Sequence, residues 1–176
     1  MLSAIAISKK WTNDSYRVDE TYVKVKGAWK YLYRAVDSTG QTIDFMLSAK
    51  RDARAAKRFF RKMLKAAKHQ SPRVINVDRN KAHPPAVEEL KEEGVLPIAS
   101  QLRQSKYLNN IIEQDHRFIK RRVNPGLGFF SFNTARRTIG GYEVTNMIRK
   151  VQVEGIGKCD IRGQVRFVES LFKVAA

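Results

Sequence analysis

Between Ser48 and Asp52 the apolar residues of this chain change their period, and that switch limits the folds open to it more than any other feature. Ahead of it, Tyr16 to Val25 alternates as a strand does, with Asp19, Thr21, Val23 and Val25 on one face. Glu20 falls on the opposite face and is expected to be structural or exposed. Lys26-Gly27-Ala28 supplies a turn, and Trp29 to Val36 is rich in aromatic and branched residues suited to a second strand. Asp37-Ser38-Thr39-Gly40 is another turn, followed by a third strand from Gln41 to Ser48. Three consecutive strands joined this tightly make an antiparallel meander. Past the switch, Ala53, Ala56, Phe59, Phe60, Met63, Leu64 and Ala67 recur at helical spacing, from an N-cap at Asp52 to about Lys68.

The alternation of elements then continues. Arg73-Val74-Ile75-Asn76-Val77-Asp78 is a short, mostly apolar run of the kind that forms a buried parallel strand, and it ends on a carboxylate. Pro84 and Pro85 suit the first turn of a helix running through Ala86, Val87 and Leu90 to Gly94, a good terminator. A short fifth strand is expected at Leu96-Pro97-Ile98-Ala99, with the polar stretch Ser100 to Lys106 as a connection. From Asn109 to Arg122, Ile111, Ile112, Phe118 and Ile119 mark the apolar stripe of a helix. On its other face Glu113 and Lys120 lie seven apart, almost two full turns, so they share one polar ridge with His116 and Arg117 between them. Pro125 to Gly128 ends this helix, and Ser131 to Lys150 is another, weakened in its middle by Gly140-Gly141. In the tail, Val165, Val168, Leu171 and Phe172 fall at helical spacing.

That order predicts a mixed α/β fold in which the fourth strand crosses over the first helix to lie parallel to the first strand. It is the ribonuclease H-like arrangement: three antiparallel strands plus one or two parallel ones, flanked by helices. The expected division is a ragged segment over 1–15, a core over 16–150 and a tail with an amphipathic helix over 151–176.

Composition restricts what such a domain does. At 176 residues and 43% apolar, the chain holds one ordinary core. Its 34 Lys and Arg against 17 Asp and Glu leave a balance of +17, which favours a polyanion, nucleic acid first. The basic residues are spread along the chain rather than gathered on one anchor, which ranks membrane binding low. The basic side of the first helix (Arg54, Lys57, Arg58, Arg61, Lys65, Lys68) reads equally as a solvated face or a DNA-contacting stripe. The only cysteine, Cys159, excludes an intramolecular disulfide or a thiolate metal cluster, and its inert reading is preferred. No apolar run approaches the roughly 20 residues that span a bilayer, and Met1 to Lys10 has no basic leader or cleavage site. A cytoplasmic, nucleoid-associated protein is expected.

With the fourth strand beside the first, Asp19 and Asp78 fall on neighbouring strands, and Glu113 is the natural third acid from a helix packed over that edge. Three convergent carboxylates make a hard-oxygen site for Mg²⁺ or Mn²⁺, and phosphodiester chemistry calls for two such ions. Lys120 is a mobile point charge placed to hold a DNA phosphate near them, with Arg117, Arg121 and His116 as further DNA contacts. Other acids rank lower: Asp37 belongs to a turn, Asp44 is expected to pair or face solvent, and Asp115 is expected to support the helix. Trp29, Tyr31 and Tyr33 are expected in core or cross-strand packing rather than base stacking.

Three segments carry a resemblance: Val18 to Val25 (Val-Asp-Glu-Thr-Tyr-Val-Lys-Val), Tyr31 to Asp37 (Tyr-Leu-Tyr-Arg-Ala-Val-Asp), and Lys106 to His116 (Lys-Tyr-Leu-Asn-Asn-Ile-Ile-Glu-Gln-Asp-His). Together they resemble the catalytic core of bacterial DDE transposases of the insertion sequence six family over roughly residues 11 to 150. The stretch Asn76 to His83 departs further from that pattern. The resemblance implies Asp19, Asp78 and Glu113 as the catalytic, metal-holding acids, with Lys120 at the basic position seven after the glutamate. It implies metal-dependent DNA end cleavage and strand transfer, transposon ends and target DNA as partners, and a homo-oligomer as the working form. Family members carry a helix-turn-helix reader ahead of the core, and none is expected before Val18. The rival readings are a truncated, catalytically silent DNA-binding fragment and a ribonuclease acting on RNA–DNA hybrids.

Overall fold

The computed structural model describes residues 11–67, 71–105, 110–157 and 159–172; of Leu171 and Phe172 it describes the backbone only. Lys68 and the segment Lys106 to Asn109 of the third resembling motif therefore lie outside the described residues. The strands are β1 (Ser15–Val25), β2 (Ala28–Asp37), β3 (Thr42–Ser48), β4 (Val74–Val77) and β5 (Gln101–Gln104). The helices are α1 (Ala53–Ala66), α2 (His83–Glu92), α3 (Asn110–Val123), α4 (Phe132–Arg149) and α5 (Ile161–Phe172). One sheet holds all five strands in the order β3-β2-β1-β4-β5. The first three pair antiparallel, while β4 joins β1 and β5 joins β4 in parallel. This is the predicted ribonuclease H-like α/β architecture.

Alternation along β1 decides which layer each side chain enters. Tyr16 and Val18 join Tyr33, Phe59, Phe60 and Met63 in a core beneath α1 and α2. Val23 and Val25 join Leu32, Ile119, Ala135 and Ile139 in a second core beneath α3 and α4. Each fully buried large side chain of this kind contributes about 1.5–3 kcal/mol. Helix α1 starts where expected, because the Asp52 carboxylate accepts from the Ala55 amide and satisfies one of the free donors of the first turn. Helix α4 is capped likewise by Ser131 and runs through Gly140 and Gly141 without interruption, fixed by buried Ala135, Ile139 and Met147.

One expectation needs correction. The fifth strand is Gln101–Gln104, not Leu96–Ala99. At the sheet edge only Leu102 of this strand packs against the core, so its otherwise polar sequence hid it. Leu96 is instead a buried core residue, and Ile98 is 84% exposed. On the basic side of α1, Lys57 pairs with Glu89 and Glu93 of α2 and Arg61 with Glu93, while Arg54, Arg58 and Lys65 are exposed.

Candidate active site

The parallel register Val18↔Val77 sets the last residue of β4 beside β1, so Asp19 and Asp78 each stand one position beyond that pair. Asp19 faces α3, where its carboxylate lies 3.3 Å from His116 Nε2, and its Oδ1 accepts from the Glu20 amide at 2.9 Å. His116 is therefore buried against Asp19 rather than standing on the exposed ridge where it was expected. The ridge itself is present: Glu113, Arg117, Lys120 and Arg121 are all exposed on α3.

Asp78 lies just past the end of β4 and turns toward the α1/α2 side. Its Oδ2 accepts from Arg51 Nη2 at 3.2 Å, and its Oδ1 accepts from the Asn80 amide at 3.0 Å and lies 3.2 Å from His83 Nε2. Glu20, on the opposite face of β1 from Asp19, closes the same group. It accepts from Arg51 Nε and from Asn80 Nδ2, and its Oε2 lies 3.4 Å from His83 Nε2. Among the described residues, Glu20, Asp78 and His83 are the acids and histidines whose ligand atoms fall within 4.8 Å of one another. Asp19, Asp78 and Glu113 are not drawn into one such cluster: Asp19 is engaged on the α3 face, Asp78 on the α1/α2 face, and Glu113 stands exposed.

Charge explains how this group persists indoors. Burial opposes an imidazolium at His83, but the Asp78 and Glu20 carboxylates outweigh it and push its pKa up to about 9, so it is protonated at neutral pH. Desolvation likewise works against the Asp78 and Glu20 carboxylates, and the neighbouring His83 and Arg51 charges hold both below the usual range. Two anions thus meet two cations.

A second buried network fixes α3 over the sheet. Arg34, directly across from Asp19 in the β1–β2 register, is fully buried. Its guanidinium reaches Asp115 of α3 at 2.6 Å and Glu143 of α4 at 2.6 Å. Asp115 also takes Lys150 Nζ at 2.6 Å and Asn146 Nδ2 at 3.0 Å. Desolvation raises the Asp115 carboxyl, yet the Arg34 and Lys150 charges win and hold it below the aspartate range. Asp115 supports the site across three elements rather than within its own turn, and Asp44 pairs with Lys62. Asp37 caps its turn by accepting from the Thr39 and Gln41 amides.

Sequence reasoning missed Arg34, Glu143, Arg51 and His83. Arg34 left a trace, a lone cation in the apolar run Tyr31 to Val36, and Glu143 falls at helical spacing from buried Ile139 and Met147. Arg51 left none, because nothing local ties it to β1 or to the end of β4, and His83, only five residues after Asp78, gave no sign of its second partner, Glu20 of β1.

The sheet order, an antiparallel meander extended by two parallel strands, defines a ribonuclease H-like α/β domain. The magnesium-bound catalytic core domain of HTLV-2 integrase superposes with TM-scores of 0.51 in its dimeric form and 0.52 in its trimeric form. Both cover 68% of this chain and 75% of that one, at 18% identity, which is evidence of shared fold. The model of the DDE domain family matches residues 13–152, and the chain belongs to that family. It is 36% identical over 149 residues to the Staphylococcus aureus transposase for insertion sequence-like element IS431mec, and equally to the transposase for insertion sequence element IS257 in transposon Tn4003. Each match covers 82% of this chain and 64% of the relative, so the chain spans about two thirds of the length of these curated relatives. Among the described residues, no helix is long and apolar enough to cross a membrane.

Proposed function

We propose that this chain is the catalytic core of a DNA transposase, with residues 16–150 as the reacting domain and 151–176 as a tail. The observation that carries the reading is the adjacency of Asp19 and Asp78 past the Val18↔Val77 register, in a DDE family domain with a charge of +17. Asp19, Asp78 and Glu113 are the residues that would hold Mg²⁺ or Mn²⁺, two ions in the working site. Their donor set fits, since all three offer carboxylate oxygen and none offers the thiolate or imidazole that softer ions prefer. When bound, such ions activate an attacking oxygen and stabilise a leaving one.

The chain's own residues do the rest. His116 orients the Asp19 carboxylate, and the Arg34 network holds α3 so that Glu113 is presented from a fixed helix. Lys120, Arg117 and Arg121 bind the phosphates of transposon-end and target DNA along the α3 ridge. Water attacks the phosphodiester at the element's end and frees a 3′-hydroxyl, which in turn attacks a target phosphodiester and displaces its 3′ oxygen. The working form is a homo-oligomer, acting on DNA at the nucleoid.

The test is joining of a duplex bearing the element's terminal repeat to supercoiled plasmid in Mg²⁺. Asp19→Asn and Asp78→Asn are each expected to lower joining by about a thousandfold, the scale of losing roughly 4 kcal/mol of transition-state stabilisation. Joining by Asp78→Asn at the parental rate would overturn the reading.

A further inference from the structure

Asp78 is already occupied by cations of the protein's own. Arg51 stands in the link between β3 and α1, just before the Asp52 cap, and bridges Glu20 of β1 to Asp78 at the end of β4. The two arms of the bridge differ. The Glu20 arm is close and its carboxylate is 1% exposed, whereas the Asp78 arm spans 3.2 Å to a carboxylate that is 30% exposed. Asn80 Nδ2 also donates to Glu20 Oε1 at 2.8 Å, so Glu20 is anchored independently of Asp78. On the other side His83, fully buried and packed edge-on against Phe60 with centroids 5.6 Å apart, reaches both carboxylates. The Arg51–Asp78 arm is the more exposed end of Arg51's bridge, and among the described residues the only other cation beside Asp78 is His83 at 3.2 Å.

We infer that Arg51 is a positioning residue that competes with divalent cations for Asp78, keeping this carboxylate on the α1/α2 face until a metal ion draws it toward Asp19. The inference rests on the reading of Asp78 as a metal ligand. Its physical basis is substitution of one cation for another. An anion balanced by a guanidinium gains less from a divalent ion than a bare one does, and a nearby guanidinium also repels that ion. Glu20 supplies the fixed end that keeps Arg51 in place when Asp78 leaves. Arg51 thus sets the metal concentration at which the site assembles.

Calorimetric titration of the full 176-residue chain with Mn²⁺ tests this without any reaction. Arg51→Gln is expected to bind Mn²⁺ on the order of tenfold more tightly than the parent, and Asp78→Asn to lose most of the binding. The sign is diagnostic, because a merely structural loss at Arg51 would weaken binding. Unchanged or weaker binding by Arg51→Gln, with Asp78→Asn still impaired, overturns the latch and leaves the ligand reading standing. Parental binding by Asp78→Asn overturns the ligand reading and the latch with it. Should circular dichroism show Arg51→Gln unfolded, Arg51→Lys decides the matter. It keeps a charge at Glu20 but has no second arm, so tighter binding supports the latch and parental binding rejects it.

Discussion

Arg34 shows how much one side chain settles. A guanidinium with no exposure persists there because Asp115 and Glu143 both lie at 2.6 Å, and because Lys150 completes a balanced set of two anions and two cations. Removing it strands Glu143 indoors and leaves Asp115 with Lys150 and Asn146 alone. Arg34→Met is expected to lower the unfolding free energy by about 3–5 kcal/mol in urea titrations. Restoring part of that loss with Glu143→Leu in the same chain would identify the stranded anion as the cause. Lys120 is the opposite case, exposed on α3, and Lys120→Ala should leave stability within about 0.5 kcal/mol. At this scale the sequence exposed Asp19, because a carboxylate amid alternating branched residues stands out, but it did not reveal the pull of Arg51 and His83 on Asp78. Arg51 and Glu20 join Asp78 only once β4 has crossed to lie beside β1, whereas His83 comes from five residues further along the chain.

Among the elements, caps and turns were legible and packing partners were not. Asp52 and Ser131 begin α1 and α4 as local chemistry requires, since each accepts from an amide three residues on. The polar edge strand β5 could not be read, because its strand character comes from pairing with β4 and not from its own residues. The same holds for the link after α3. Its Gly128 has φ +109, and a Cβ there would lie 2.7 Å from the Lys24 carbonyl oxygen, where Phe129 bonds backbone-to-backbone with β1. Gly128→Ala is expected to cost more than about 1 kcal/mol, seen as a lower thermal midpoint; an unchanged midpoint would show that the link is free to move.

Over the whole molecule, a charge of +17 is distributed unevenly once folding is complete. Lys57 and Arg61 turn to the acids of α2, whereas Arg117, Lys120 and Arg121 remain exposed on α3. DNA affinity should therefore fall with salt at about −0.9 in log–log slope per phosphate contact, and Lys120→Ala should reduce that slope by about 1. Lys57→Ala should leave it unchanged, measured by fluorescence anisotropy on a random duplex.

The sequence alone determined the order of strands and helices, the parallel crossover, and the places of Asp19 within β1 and Asp78 just past β4, because hydrophobic period and turn chemistry act over a few residues. Which face each acid adopts, which cations neutralise it and which basic residues stay free were decided by tertiary structure, because charges pair with whatever the fold brings within a few ångströms, however far apart in the chain.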